Sequence, residues 1–194
     1  AYPELSNDAL LCASNIVVSL QNIVSRFVPS REAVVLGIGT FSSGEAWNVI
    51  AKQAVLEGTL RTFNEELRNQ ILSDIKNIIN SIALCNHCRA DFSNESVAKV
   101  VFNDEALTNK LKRRAIAVFG NDSIVEQKPS SIGDDFSYYK EIAPCFYGFL
   151  GTHLEGEQYY PLHSSKLNAD EKAMYYGVKW FVNMCFECLG EVCD

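Results

Sequence analysis

The strongest constraint on the fold is a Gly-punctuated, β-branched stretch, Gly37 to Ile50 running on to Leu56–Phe63, held between two long segments of helical periodicity. The stretch reads as two adjacent strands joined by the Ser42-Ser43-Gly44 turn, with Asn48 near the start of the second strand and Arg61 near its end. Ahead of it, Asn7 or Asp8 can cap a helix whose apolar positions Leu10, Leu11, Ile16, Val17, Leu20, Ile23, Val24 and Phe27 keep a 3.6-residue period as far as Pro29. Behind it, Asn64-Glu65-Glu66 opens a second helix with acids in its first turn and Leu67, Ile71, Ile75, Ile78, Ile79 and Ile82 as its buried stripe. A more polar strand candidate spans Cys88 to Val97. Helices alternating with three or more strands predict an α+β domain over residues 1–99, with the helices packed on one face of an antiparallel sheet.

Around Lys99 to Asp104 the pattern resets, and residues 100–194 read as a second segment. Asp104 caps a helix through Ala106, Leu107, Leu111, Ile116, Val118 and Phe119 that stops at Gly120, the position where an αL residue is expected. A polar loop from Gln127 to Asp134 leads into a short aromatic helix, Asp135 to Glu141, and Cys145 to Leu150 reads as a short apolar strand. A long loop carrying Pro161-Leu162-His163-Ser164 precedes a closing helix from Asn168 or Asp170 to about Leu189. Loops of that length in a compact domain tend to carry function.

A formal charge of -7 and a pI near 5.0 argue against nucleic acid as the partner, because phosphate binding needs clustered Lys and Arg. The one basic run, Lys110-Leu111-Lys112-Arg113-Arg114, lies in a helical pattern and reads as a solvated face. No run of 18 apolar residues and no charged-then-apolar leader is present, so the expectation is a cytoplasmic protein with no membrane span. Seven cysteines include two CxxC spacings, Cys85–Cys88 and Cys185–Cys188, which could in principle offer four thiolates to a structural zinc. The second pair falls in an apolar helical run, where i and i+3 spacing places small residues on one face, so core or surface thiols are the expected reading.

Few residues could carry chemistry. His163 follows a proline on a loop and precedes a helix, a setting that suits an imidazole ligand. Asp134-Asp135 at a helix start serves a metal site or a cap equally well, and His153 lies near Glu155 and Glu157 without a ligand spacing. Ser42-Ser43-Gly44 has turn chemistry rather than nucleophile chemistry, and there is no phosphate-binding Gly-rich loop, HExxH or GxSxG elbow.

In order along nearly the whole chain stand Gly39-Thr40, Gly44, Ala46, Asn48-Val49-Ile50, Leu56-Glu57-Gly58-Thr59-Leu60-Arg61-Thr62-Phe63, Asn103-Asp104, Asp135-Phe136-Ser137-Tyr138-Tyr139, Leu150-Gly151, Pro161-Leu162-His163-Ser164, and Asp170-Glu171 with Gly177. This series resembles the di-metal amidohydrolases of metallopeptidase family twenty, closest to the aminoacylase, hippurate hydrolase and N-acyl-amino-acid amidohydrolase branch. The resemblance implies a lid and dimerisation domain over 1–99 and the closing segment of a hydrolase catalytic domain over 100–194, an incomplete α/β unit. It implies hydrolysis of the amide bond of N-acyl amino acids or small peptides by water activated on a divalent metal, zinc, manganese or cobalt. By the same resemblance His163 is a metal ligand, Asn48 donates to the carbonyl oxygen as it becomes an oxyanion, and Arg61 holds the substrate carboxylate. The family's other metal ligands and its general-base glutamate match nothing in this chain, which by itself would then be inactive and would form a homodimer through the lid. The competing expectation is a non-enzymatic dimerisation module derived from the same family.

Overall fold

The computed structural model describes residues 2–96 and 98–190 and divides into two compact units. The first comprises residues 1–100 together with 130–133; the second comprises 101–129 and 134–194. The fold is α+β. In the first unit, helix α1 (Ala9–Asn22) starts at Asp8, whose carboxylate accepts the Leu11 N–H at 3.0 Å. A wider turn over Ile23–Phe27 extends it, closed by the Val28 N–H donating to the Ile23 carbonyl at 3.0 Å. Pro29 then excludes the helical conformation for the residue before it. Strands β1 (Val34–Ser43) and β2 (Ala54–Thr62) form a single antiparallel hairpin, and helix α2 (Glu65–Cys85) follows, capped by Asn64, whose side chain accepts the Glu66 and Leu67 N–H groups.

A two-stranded hairpin has no stability of its own in water, so its apolar face needs a partner. Helices α1 and α2 supply it from one side: Cys12, Ile16, Leu20, Ile23, Ile71, Ile75 and Ala83 form the buried cluster, with Val34, Leu36, Ile38, Leu56 and Leu60 packed against it. Period-2 alternation turns Val34, Leu36 and Ile38 to the helices until a bulge between Ile38 and Thr40 shifts the register, so that Thr40 faces Glu57 and Phe41 faces Leu56. Close strand approach at this point requires Gly58, since a Cβ there would lie 2.4 Å from the Gly37 carbonyl oxygen. The stretch Ala9–Phe27 is, by length and composition, apolar enough to cross a membrane, with mean hydropathy 1.3, but here its inward side is the core of the unit.

Helix α2 ends in a Schellman motif. The Cys88 N–H donates to the Ala83 carbonyl at 2.8 Å and the His87 N–H to the Leu84 carbonyl at 3.1 Å, with His87 at φ 55°. The Cys85–Cys88 spacing is therefore that of a helix terminus. No strand is found among the described residues of 88–97; Val97 lies outside the described residues.

In the second unit, α3 (Glu105–Phe119) is capped by Asp104, which accepts the Leu107 N–H at 2.8 Å, and α4 (Lys172–Leu189) begins just after Asp170, which accepts the Lys172 N–H at 2.9 Å. Gly120 ends α3 at φ 89°, ψ 160°, a region open essentially to glycine alone, rather than in the αL conformation expected from the sequence. The basic run is engaged within the unit: Lys112 pairs with Glu126, and Arg114 donates to Asn183 on α4 at 2.8 Å with Glu187 at 3.9 Å. Phe119 contacts the Tyr176 and Trp180 rings, completing the α3–α4 seam.

Residues 145–150 are not a strand. The Asn103 side chain stands in for a neighbouring strand there: its amide donates to the Tyr147 carbonyl at 2.9 Å and its oxygen accepts the Tyr147 N–H at 2.7 Å. Asp134 caps the short helix Asp135–Glu141 through the Phe136 N–H at 2.8 Å and accepts the Tyr147 hydroxyl at 2.9 Å. Those hydrogen bonds, the backbone one first, hold the Asp134 carboxyl below the usual aspartate range, and the hydrogen bond that Tyr147 donates to Asp134, followed by burial, raises Tyr147 in turn.

Two predictions follow from this packing. Ile23→Ala and Ile71→Ala, at 0% and 1% exposure, each lower the unfolding free energy by about 2–5 kcal/mol, whereas Leu84→Ala, at 77% exposure, changes it by less than about 0.5 kcal/mol; urea unfolding measures all three, and equal losses would put the core elsewhere. Because the Asp134 pKa is depressed in the folded state, its contribution is present above the ordinary aspartate range and is lost as pH falls through the folded value. Urea midpoints should therefore fall more steeply on acidification in the wild type than in Asp134→Asn, and parallel curves would show that the carboxylate contributes nothing.

Candidate functional site

The hairpin's helix-free face carries the first candidate. Arg61 pairs with Val35 near the end of β2 and is exposed, with Glu57 four residues earlier on the same face, where it accepts the Thr40 hydroxyl at 2.8 Å. The Arg61 Nη1 donates to the Ser131 carbonyl at 3.1 Å, so the segment Ser130–Gly133 lies against the guanidinium in the first unit. A Cβ on Gly133 would stand 3.6 Å from Nη1, in ordinary contact. One side of the Arg61 fork is thus anchored on backbone, which fixes its orientation, as a bidentate grip on a carboxylate requires.

Asn48 is not in a strand. β1 closes at Ser43 and β2 opens at Ala54, so Asn48 sits in the connecting loop, exposed, in an open depression with Asp8, Leu10, Glu45 and Trp47. That loop is tied to the start of α1 by the Ala9 N–H donating to the Ala51 carbonyl at 3.1 Å. From Ala54 to Arg61, β2 runs about 23 Å at about 3.3 Å per residue. The hairpin therefore holds Asn48 and Arg61 at opposite ends. An N-acetyl amino acid, roughly two residues of extended chain, reaches only about 7 Å.

His163 belongs to the second unit and is exposed. The Ser164 N–H donates to the Pro161 carbonyl at 3.1 Å, closing a four-residue turn in which His163 holds the third position at φ 68°. Turns with positive φ there favour Gly or Asn, so an imidazole is kept against local conformational preference. His153 packs edge-on to Tyr159, with ring centroids 5.9 Å apart. Asp134 is committed to its cap and to Tyr147.

A catalytic metal needs about three protein ligands. Among the described residues no three of His, Cys, Asp and Glu come together, so His163 can supply one ligand and the described residues do not form a metal centre by themselves. Cys85, Cys185 and Cys188 are exposed and free. Two features escaped the sequence reading: the Ser130–Gly133 contact with Arg61, which joins positions remote in sequence, and the Asn103 clamp. Only the His163 turn left a local signal, in Pro161 followed three residues later by Ser164.

Residues 12–187 match the peptidase family M20/M25/M40. The chain is 34% identical over 174 residues to N-acetyldiaminopimelate deacetylase of Bacillus subtilis, covering 90% of this chain and 45% of that protein. It is 33% identical over 176 residues to the N-acetyl-L-cysteine deacetylase of the same organism, covering 91% and 42%. A crystal structure of a B. subtilis dinuclear metal binding peptidase of the M20 family superposes with a TM-score of 0.77 at 27% identity, covering 96% of this chain and 47% of that one. The chain thus spans about half the length of the relatives it matches. With most of its length matched in sequence and in fold, the chain belongs to the peptidase family M20/M25/M40.

Proposed function

We propose that this chain is the substrate-gripping portion of a metal-dependent amidohydrolase that cleaves N-acyl amino acids, with residues 1–99 as lid and 100–194 as the closing segment of the catalytic domain. The observation that carries the reading is Arg61: exposed on the open face of the hairpin, oriented by the Ser131 carbonyl, and within a chain whose relatives include N-acetyl-amino-acid deacetylases. Arg61 binds the substrate carboxylate, Asn48 donates to the scissile carbonyl oxygen, and His163 is one ligand of a metal whose remaining ligands lie outside this chain. When bound, that metal would supply the activated water.

Two further observations support parts of this reading. The distance between Asn48 and Arg61 is beyond the reach of one small substrate, so the two residues acting on one molecule come from two copies, which favours a homodimer through the lid. Helix α4 leaves Val178, Phe181 and Phe186 at 65%, 66% and 70% exposure, an apolar stripe suited to covering by the remainder of a catalytic domain.

Titration of the chain with N-acetyl-L-alanine, followed through the Arg61 side-chain NMR resonance, tests the assignment. Binding should require the free carboxylate, be absent with N-acetyl-L-alaninamide, and weaken at least about tenfold in Arg61→Ala. Equal binding of the amide, or undiminished binding in Arg61→Ala, would sink the reading. His163→Gly should raise the unfolding free energy by about 1 kcal/mol where His163→Ala does not, because glycine takes the positive-φ position without strain; thermal unfolding of the two variants decides it, and identical stabilities would remove the argument that function keeps the histidine.

A further inference from the structure

Two thiols that the proposed chemistry does not use meet in the first unit. Cys12, on the inner side of α1, is 4% exposed, and Cys88, the residue that closes the Schellman motif after α2, is half-buried. Cys88 packs against the buried cluster that contains Cys12, although the two lie far apart in sequence. The Cys88 Sγ also lies 3.4 Å from the Asn86 carbonyl and 3.9 Å from that of Asp8, the carbonyl that accepts the Cys12 N–H at 3.0 Å. The first turn of α1 and the tail of α2 therefore meet at this thiol pair. Through the shared Asp8 carbonyl and the shared cluster, the Cys88 sulfur is held at the turn of α1 that carries Cys12, the kind of proximity that a disulfide requires.

We propose that Cys12 and Cys88 form a modification site: a dithiol that a small peroxide converts to an intramolecular disulfide tying the start of α1 to the end of α2. The Cys88 thiolate attacks one peroxide oxygen and becomes a sulfenic acid, releasing hydroxide that takes up the proton lost from Cys88. The Cys12 sulfur then attacks the Cys88 sulfur, the S–O bond breaks, and the Cys12 proton leaves with the hydroxyl as water. Two thiols are oxidised by two electrons and one hydrogen peroxide is reduced to two waters. The order of events follows from burial, which holds the Cys12 thiol up at about 11 and keeps it protonated, while the more accessible Cys88 meets the oxidant.

Cys85, exposed three residues before Cys88, is the natural competitor. The test is to treat the native chain with one equivalent of hydrogen peroxide at low protein concentration, cap free thiols with iodoacetamide, and digest with trypsin. The expected product is a cross-link between the peptides 1–26 and 77–89, cleaved by dithiothreitol, retained in Cys85→Ser and lost in both Cys88→Ser and Cys88→Ala. Absence of this cross-link, its retention in the Cys88 variants, its loss in Cys85→Ser, or cross-links only between separate chains would each overturn the proposal.

Discussion

Everything in the first unit depends on the burial of a hairpin's apolar face by two helices. Ile23 and Ile71, almost without exposure, stand where α1 and α2 meet, and Leu36 and Leu60, paired across the strands, close the layer from below. A hairpin alone would not hold its register. Once the helices claim one face, the other is left open by default, and Arg61 with its neighbours Glu57 and Thr59 is presented there on a rigid support rather than on a loop. The Asn48 loop has the opposite character: ten residues between the strands, restrained chiefly where it touches the start of α1.

What was legible in the sequence was local. Asp8, Asn64 and Asp104 announce helix starts because a cap is a contact between residues two or three apart, and all three carboxyl or amide side chains accept the N–H groups that the pattern implies. The isoleucine stripe of α2 is likewise a property of a single turn period. The misreadings share a cause as well. Cys145–Leu150 has strand composition, but its pairing partner is one amide side chain more than forty residues earlier, and nothing in the segment encodes that. The Cys85–Cys88 spacing, for which thiols rather than zinc ligands are the expected reading, is that of a helix terminus with histidine where glycine is usual. A tight Ser42-Ser43-Gly44 turn would put Asn48 near the start of the second strand, whereas Gly44 at φ 79° leads into a ten-residue loop that carries Asn48.

For the candidate site the division is similar. Residue types alone pointed to a polar ligand at Asn48 and Arg61, and the family resemblance supplied the expected roles of a carboxylate grip, an amide donor and an imidazole ligand. Their relative placement did not follow, because it is set by strand length and by the tie of the loop to the start of α1, which together keep Asn48 at the end of the hairpin away from Arg61. Orientation was also hidden, for the carbonyl that steadies Arg61 comes from Ser131, seventy residues along the chain.

The bulge between Ile38 and Thr40 has a consequence for how such a chain can change over evolutionary time. It acts as a phase shift in the in–out alternation of β1, so that Phe41 rather than Thr40 shares the side of Leu56. Deleting Gly39 would remove the extra residue and make Ile38–Gly58 and Thr40–Glu57 consecutive pairs, leaving Thr40 on the side of Glu57 and Phe41 on the side of Leu56. Losing one residue is therefore cheap at the bulge and within residues 44–53, where no ladder is at stake, and costly in the regularly paired stretch Val34–Ile38, where it turns the residues beyond it to the other face.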